Sequence, residues 1–175
     1  MGRVVYIDES QRDGRYLLAS MAIPAALVPK VRKDVLLLAP RGSGVVRRHF
    51  VRESEADRRK LLAAYKSLEG ADHLVYVAER GERPLNQRER CLDLLIAELV
   101  GQGISRVVLD HMDDTHQRRD RSVLGRRLDG TRVSYVHEPA HSREPMLWVP
   151  DAIAWCAGHR AWRRELQGWV TIRRA

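Results

Sequence analysis

The sequence is poor in the features that announce a secreted, membrane-bound or nucleotide-driven protein. It has two cysteines, Cys91 and Cys156. They are too few and too isolated for a disulfide framework or a cysteine-rich zinc site, so reduced thiols are expected. The longest apolar stretch, from Leu17 to Pro29, is interrupted by Ser20 and Pro24 and falls short of the ~20 residues a spanning helix requires. No basic region, apolar region and cleavage site precede the first strand-like segment, so a cytoplasmic location and no membrane partner are expected. No G-x-x-x-x-G-K-[ST] loop is present to cradle a triphosphate, and no Gly-x-Ser-x-Gly elbow to present a nucleophilic serine. The seven histidines follow no metal-ligand spacing, although His111, directly after Asp110, is placed to serve as a ligand or proton carrier.

Acidic residues are in the minority: 31 Lys and Arg face 23 Asp and Glu, a net charge of +8. Arginine dominates the excess, and its planar fork donates two hydrogen bonds at once to phosphate. A polyanionic partner, nucleic acid, follows as the expectation. Its candidate contacts are Arg47 and Arg48, and Arg118, Arg119, Arg121, Arg126 and Arg127 on a basic helical stretch. With 175 residues, 44% of them apolar, the chain can bury one sizeable core, and a single domain over 1–175 is expected.

Along the chain, strand-like and helix-like patterns alternate. Val4-Val5-Tyr6-Ile7 reads as a buried strand with Asp8, Glu9 and Ser10 at its tip. A tight turn through Asp13 and Gly14 leads to a second strand ending at Pro24, making an antiparallel hairpin. Ala25 to Leu38 has helical spacing, and Val45 to Val51 reads as a short strand. A helix capped by Ser54, a strand over His73–Ala78 and an amphipathic helix over Asn86–Gly101 follow. Arg106 to Leu109 is a second apolar strand ending in a carboxylate, Asp110. A helix from Thr115 to Leu128 precedes the last strand, Val133 to Val136. Tryptophans 148, 155, 162 and 169 lie seven residues apart, which in one helix places them on a single inward stripe together with Asp151.

Three aspartates therefore stand out: Asp8, Asp110 and Asp151. Two strands that end in Asp bring both groups to one sheet edge when they are parallel neighbours. Clustered carboxylates raise one another's pKa unless a divalent cation neutralises them, and an all-oxygen site suits Mg²⁺ or Mn²⁺. Two such ions about 4 Å apart activate a water and stabilise the leaving oxygen in phosphodiester hydrolysis.

The opening Y-I-D-E-S, the middle V-V-L-D and the closing E-P-M-L-W-V-P-D-A-I-A-W resemble an uncharacterised bacterial domain-of-unknown-function family. Its members open on I-D-E-S-G and close on A-D-L-I-A. The resemblance implies a ribonuclease H-like mixed sheet flanked by helices, and a metal-dependent nuclease with Asp8, Asp110 and Asp151 as ligands. It also implies a glutamate from the helix before the middle strand, with Glu89 the first choice and Glu98 the second. Glu9 enters as a fourth ligand or as an acceptor behind the ligands. Two positions depart from the pattern: Gln11 in place of a glycine after Asp-Glu-Ser, and Pro150 before the last Asp. The alternatives are a non-catalytic nucleic-acid-binding module, or a subunit whose site is completed by a protein partner or a second copy.

Overall fold

The first two apolar stretches pair because Asp13 and Gly14 both adopt positive φ, 52° and 75°, the requirement of a two-residue type I′ turn. The hairpin so formed joins β1 (Arg3–Arg12) to β2 (Arg15–Pro24), in register from Arg12↔Arg15 to Arg3↔Pro24. The computed structural model describes residues 2–39, 49–139 and 144–175. There, β3 (Asp72–Ala78), β4 (Ile104–Asp110), β5 (Ser134–Glu138) and β6 (Val170–Arg174) complete a six-stranded sheet of order β5-β4-β1-β2-β3-β6. β2 runs antiparallel to both of its neighbours, and the β1–β4, β4–β5 and β3–β6 pairs are parallel.

Both faces of the four inner strands, β1 to β4, are largely buried, which is why these strands read as apolar runs. Because side chains alternate along a strand, Val4 and Tyr6 of β1 enter one core and Val5 and Ile7 the other. The first core is covered by α1 (Val28–Leu36), α2 (Glu55–Lys66) and α5 (Trp148–Gly158). The second is covered by α3 (Pro84–Val100) and α4 (Asp114–Leu128). Two of these helices start on side-chain caps: Ser54 Oγ accepts the Asp57 N–H at 3.1 Å, and Asp113 Oδ1 accepts those of Thr115 and His116. Such caps contribute about 1 kcal/mol each.

Three expectations are corrected. The tryptophan heptad does not lie on one helix. α5 stops at Gly158, His159 turns extended, and a short α6 (Arg160–Arg163) is followed by a 3₁₀ turn at Arg164–Leu166. Gly158 marks the break because a Cβ there would sit 3.3 Å from Leu17 Cδ1 and 3.5 Å from Arg12 Cβ, so the helix end lies directly on the β1–β2 hairpin. The last strand is β6, not the Val133–Val136 segment. Finally, the strand expected over Val45–Val51 falls mostly outside the described residues, and its described end belongs to a 3₁₀ turn, Phe50–Arg52.

Candidate functional site

β1 does not end at Asp8, as the sequence pattern implied. It runs on to Arg12 because the hairpin keeps Glu9 to Arg12 paired with β2, while pairing with β4 stops at Ile7↔Leu109. Asp8 therefore stands where β1 loses its parallel neighbour, beside the carboxyl end of β4. Asp110 closes β4 there, and its partner across the next pair is Glu138, the last residue of β5. The α5 helix packs on β1 and β2 and carries Asp151 in its first turn, where the positive helix end favours a carboxylate.

Asp8 is 3% exposed. Its Oδ1 accepts the Glu9 N–H at 2.8 Å, while Oδ2 has no hydrogen-bond partner. Burial holds the Asp8 carboxyl well above the usual carboxylate range, and the charges of Glu9, Asp151 and Asp110 push in the same direction. Asp110 Oδ1 accepts the His111 N–H at 2.9 Å, and Asp151 Oδ2 accepts the Phe50 N–H at 3.2 Å. Asp8 thus feels the charges of the other two aspartates expected from the sequence. Among the described residues, however, no three carboxylate, imidazole or thiol side chains stand close enough to hold an ion in the present arrangement. The donor set is all oxygen, and the unpartnered buried oxygen of Asp8 fits a hard divalent cation.

The other expected side chains that are described are engaged with partners of their own. Strand alternation sends Glu9 to the opposite face, where its Oε2 accepts from Arg88 at 2.7 Å. Glu89 is ion-paired with Arg119 at 2.9 Å, and Glu98 with Arg173. His111 is exposed, and its ring contacts Gln117 of α4 at 3.3 Å. Arg47 and Arg48 lie outside the described residues. Arg127 pairs with Asp93 of α3, whereas Arg118, with Thr115 Oγ1 at 3.4 Å, and Arg126, 3.9 Å from Asp93, are held loosely. Arg121 donates to Gln117 at 3.2 Å.

A buried ionic network beneath the edge is not foreshadowed by the motifs of the sequence. Arg88, 1% exposed, donates to both oxygens of Asp120 at 2.8 and 2.7 Å, to Glu9, and to Tyr16 Oη at 2.8 Å. His137 of β5 closes the network on Asp120 Oδ2 at 3.1 Å. Burial alone would raise Asp120, but the bonds from Arg88 and His137 bring it below its ordinary value.

No protein-family model and no curated protein matches the sequence. Among solved structures the chain is similar to RNase HII in the PCNA:RNase HII complex from Archaeoglobus fulgidus. The TM-score is 0.62, with 16% identity over 92% of this chain and 74% of that one. The fold is RNase H-like. At that identity the likeness speaks for the fold alone, and this is the part of the bacterial-family resemblance it supports. No helix among the described residues is long and apolar enough to cross a membrane.

Proposed function

We propose that the chain is a metal-dependent nuclease that hydrolyses phosphodiester bonds of DNA or RNA at the Asp8–Asp110–Asp151 edge. The observation that carries this reading is the Asp8 carboxyl, buried, with one oxygen unpartnered, and under the charges of Asp110 and Asp151. A buried carboxylate in such company is costly unless a proton or a cation accompanies it. Asp8, Asp110 and Asp151 are the residues to hold Mg²⁺ or Mn²⁺, which when bound supplies the charge that activates a water and stabilises the leaving oxygen.

The chain's own contribution is positional. The backbone N–H bonds from Glu9, His111 and Phe50 each fix one oxygen of an aspartate, and so set the orientation of its carboxylate. Glu9, committed to Arg88, holds the backbone beside Asp8 rather than serving as a ligand. Exposed arginines of α4 draw the phosphate backbone toward the edge.

Incubating the protein and its Asp8→Asn variant with labelled single- and double-stranded DNA and RNA, in Mn²⁺ and in chelator, tests the reading. Cleavage is expected only for the wild type in Mn²⁺. The variant should lose at least about a hundredfold, beyond the ten- to hundredfold typical of residues that merely support ligands. Cleavage by the variant at the wild-type rate refutes it. A second reading is a module whose site closes only with substrate or a protein partner. It is favoured by the absence, among the described residues, of three side chains already gathered to hold an ion, and it predicts silence of the purified protein until the partner is added.

A further inference from the structure

α5 leaves the carboxylate edge and ends on a group of aromatic rings that the proposed hydrolysis does not use. Trp155, one helical turn after Asp151, is half-buried. Phe50 and Trp162 meet it edge-on at 5.3 and 5.9 Å. The His159 imidazole stacks on it at 4.5 Å and 29°, and the Arg58 guanidinium lies 4.5 Å from the same ring.

β1 reaches this place by a separate route, since Arg12, four residues beyond Asp8, lies against Gly158. From Asp151 to His159 along a helix is about 12 Å, and from Asp8 to Arg12 along a strand about 13 Å. Both elements lead from the carboxylates to one spot. Arg12 is 41% exposed there, and its acidic neighbour Asp13 is 3.9 Å away. His159 is also partly open to solvent.

Packing alone accounts for Phe50 and Trp162, which are buried. It does not account for a solvent-facing imidazole stacked on an indole between two guanidinium groups. We propose that His159 and Trp155, flanked by Arg12 and Arg58, form a stacking platform for an unpaired base of a single-stranded nucleic acid, a few nucleotides from the carboxylate edge. This deepens the nuclease reading, on which it rests, by naming its substrate class. A flat ring presents a face to any base, the Arg12 guanidinium meets a neighbouring phosphate, and Arg58, held by the Phe50 and Val51 carbonyls, backs the indole. A base paired and stacked within a duplex has no free face to offer. Burial, Arg12 and Arg58 hold the His159 ring below its ordinary pKa, so at neutral pH it is an uncharged ring suited to stacking.

The test is binding in chelator, where cleavage plays no part. Labelled dT12, U12 and a 12-base-pair duplex are titrated by anisotropy against the wild type, His159→Ala, His159→Phe and Arg12→Ala. The wild type should bind single strands more tightly than duplex, with quenching of tryptophan fluorescence. His159→Ala should weaken single-strand binding about five- to tenfold, within the range of a lost base stack. His159→Phe should restore it to within about twofold, which a merely structural histidine would not predict. Arg12→Ala should weaken it about threefold, in the manner of a lost phosphate contact. Equal or tighter duplex binding, an unaffected His159→Ala, or no binding at all overturns the platform. Mn²⁺-dependent cleavage, compared between wild type and Asp8→Asn, tests the nuclease reading separately.

Discussion

The Asp8 carboxyl ties the fold to its proposed chemistry through a measurable cost. Its pKa is raised in the folded state, chiefly by burial and then by Glu9, Asp151 and Asp110. Between the ordinary carboxylate pKa and that raised value, the folded chain binds more protons at this position than the unfolded one. Stability therefore falls as pH rises through that window, and the full cost remains above it. Asn carries no charge and escapes the cost. The Asp8→Asn protein, stripped of metal, should melt at least about 2 °C above the wild type at pH 7, the shift expected for roughly 1 kcal/mol in a chain of this size. The gain should shrink to nothing as pH is lowered to about 3, below the ordinary carboxylate pKa, where the wild-type carboxyl approaches neutrality in both states. Added Mg²⁺ or Mn²⁺ should raise the melting temperature of the wild type and leave the variant unmoved, since a ligand stabilises only the state that binds it. Scanning calorimetry across pH decides the matter, and identical curves for the two proteins would remove Asp8 from the site.

Elements rather than single residues are joined by the buried network. Arg88 comes from α3, Asp120 from α4, Glu9 from β1 and His137 from β5. Replacing Arg88 by Met strands two carboxylates, and breaking a buried pair in this way costs about 3–5 kcal/mol. Arg88→Met should thus lower the melting temperature by at least about 6 °C. Arg88→Met combined with Asp120→Leu should cost less than the sum of the two single changes, because removing both members leaves no half of the Arg88–Asp120 pair buried alone, although Glu9, Tyr16 and His137 each lose a partner. Additive losses in thermal melts would mean that the network is not a unit. The signal for this pair is present in the sequence but is easily passed over. Arg88 precedes Cys91, Leu92, Leu95 and Leu99 at helical spacing, and Asp120 precedes Val123, Leu124 and Leu128 likewise. Both sit on apolar stripes, the same argument that singles out Asp151, and together they identify a buried ion pair. The hairpin and the Ser54 cap are legible because local turn and cap chemistry determine them, whereas Asp8 and Asp110 share an edge only because β1 and β4 pair, which the sequence offers as a condition and not as a result. The break at Gly158 and strand β6 are not legible. The break depends on contact with Arg12 and Leu17, and β6 on pairing with a strand about a hundred residues earlier, neither of which has a local signature.

At the scale of the whole molecule, the charge excess of +8 is distributed unevenly between groups that are already paired and groups that are not. Arg119 and Arg127 bridge α4 to Glu89 and Asp93 of α3. Arg118 and Arg126 project from the same helix with only loose neighbours, and Arg126 is 64% exposed. A phosphate competes easily for a guanidinium that holds no carboxylate, and less easily for one that does. Each phosphate contact to a single strand contributes about −0.7 to the slope of log Kobs against log salt, through release of condensed counterions. Arg118→Ala/Arg126→Ala should therefore make the slope for a single-stranded oligonucleotide shallower by about 1.4. Arg119→Ala/Arg127→Ala should change it by clearly less, and should lower thermal stability only slightly, as exposed ion pairs contribute at most about 1 kcal/mol each. The measurement is made in chelator between about 50 and 200 mM salt, the range over which electrostatic binding varies most usefully. Equal slopes for wild type and Arg118→Ala/Arg126→Ala would show the α4 face to be a solvated surface, and would leave Arg12 beside the aromatic platform as the route by which a polyanion reaches the carboxylates.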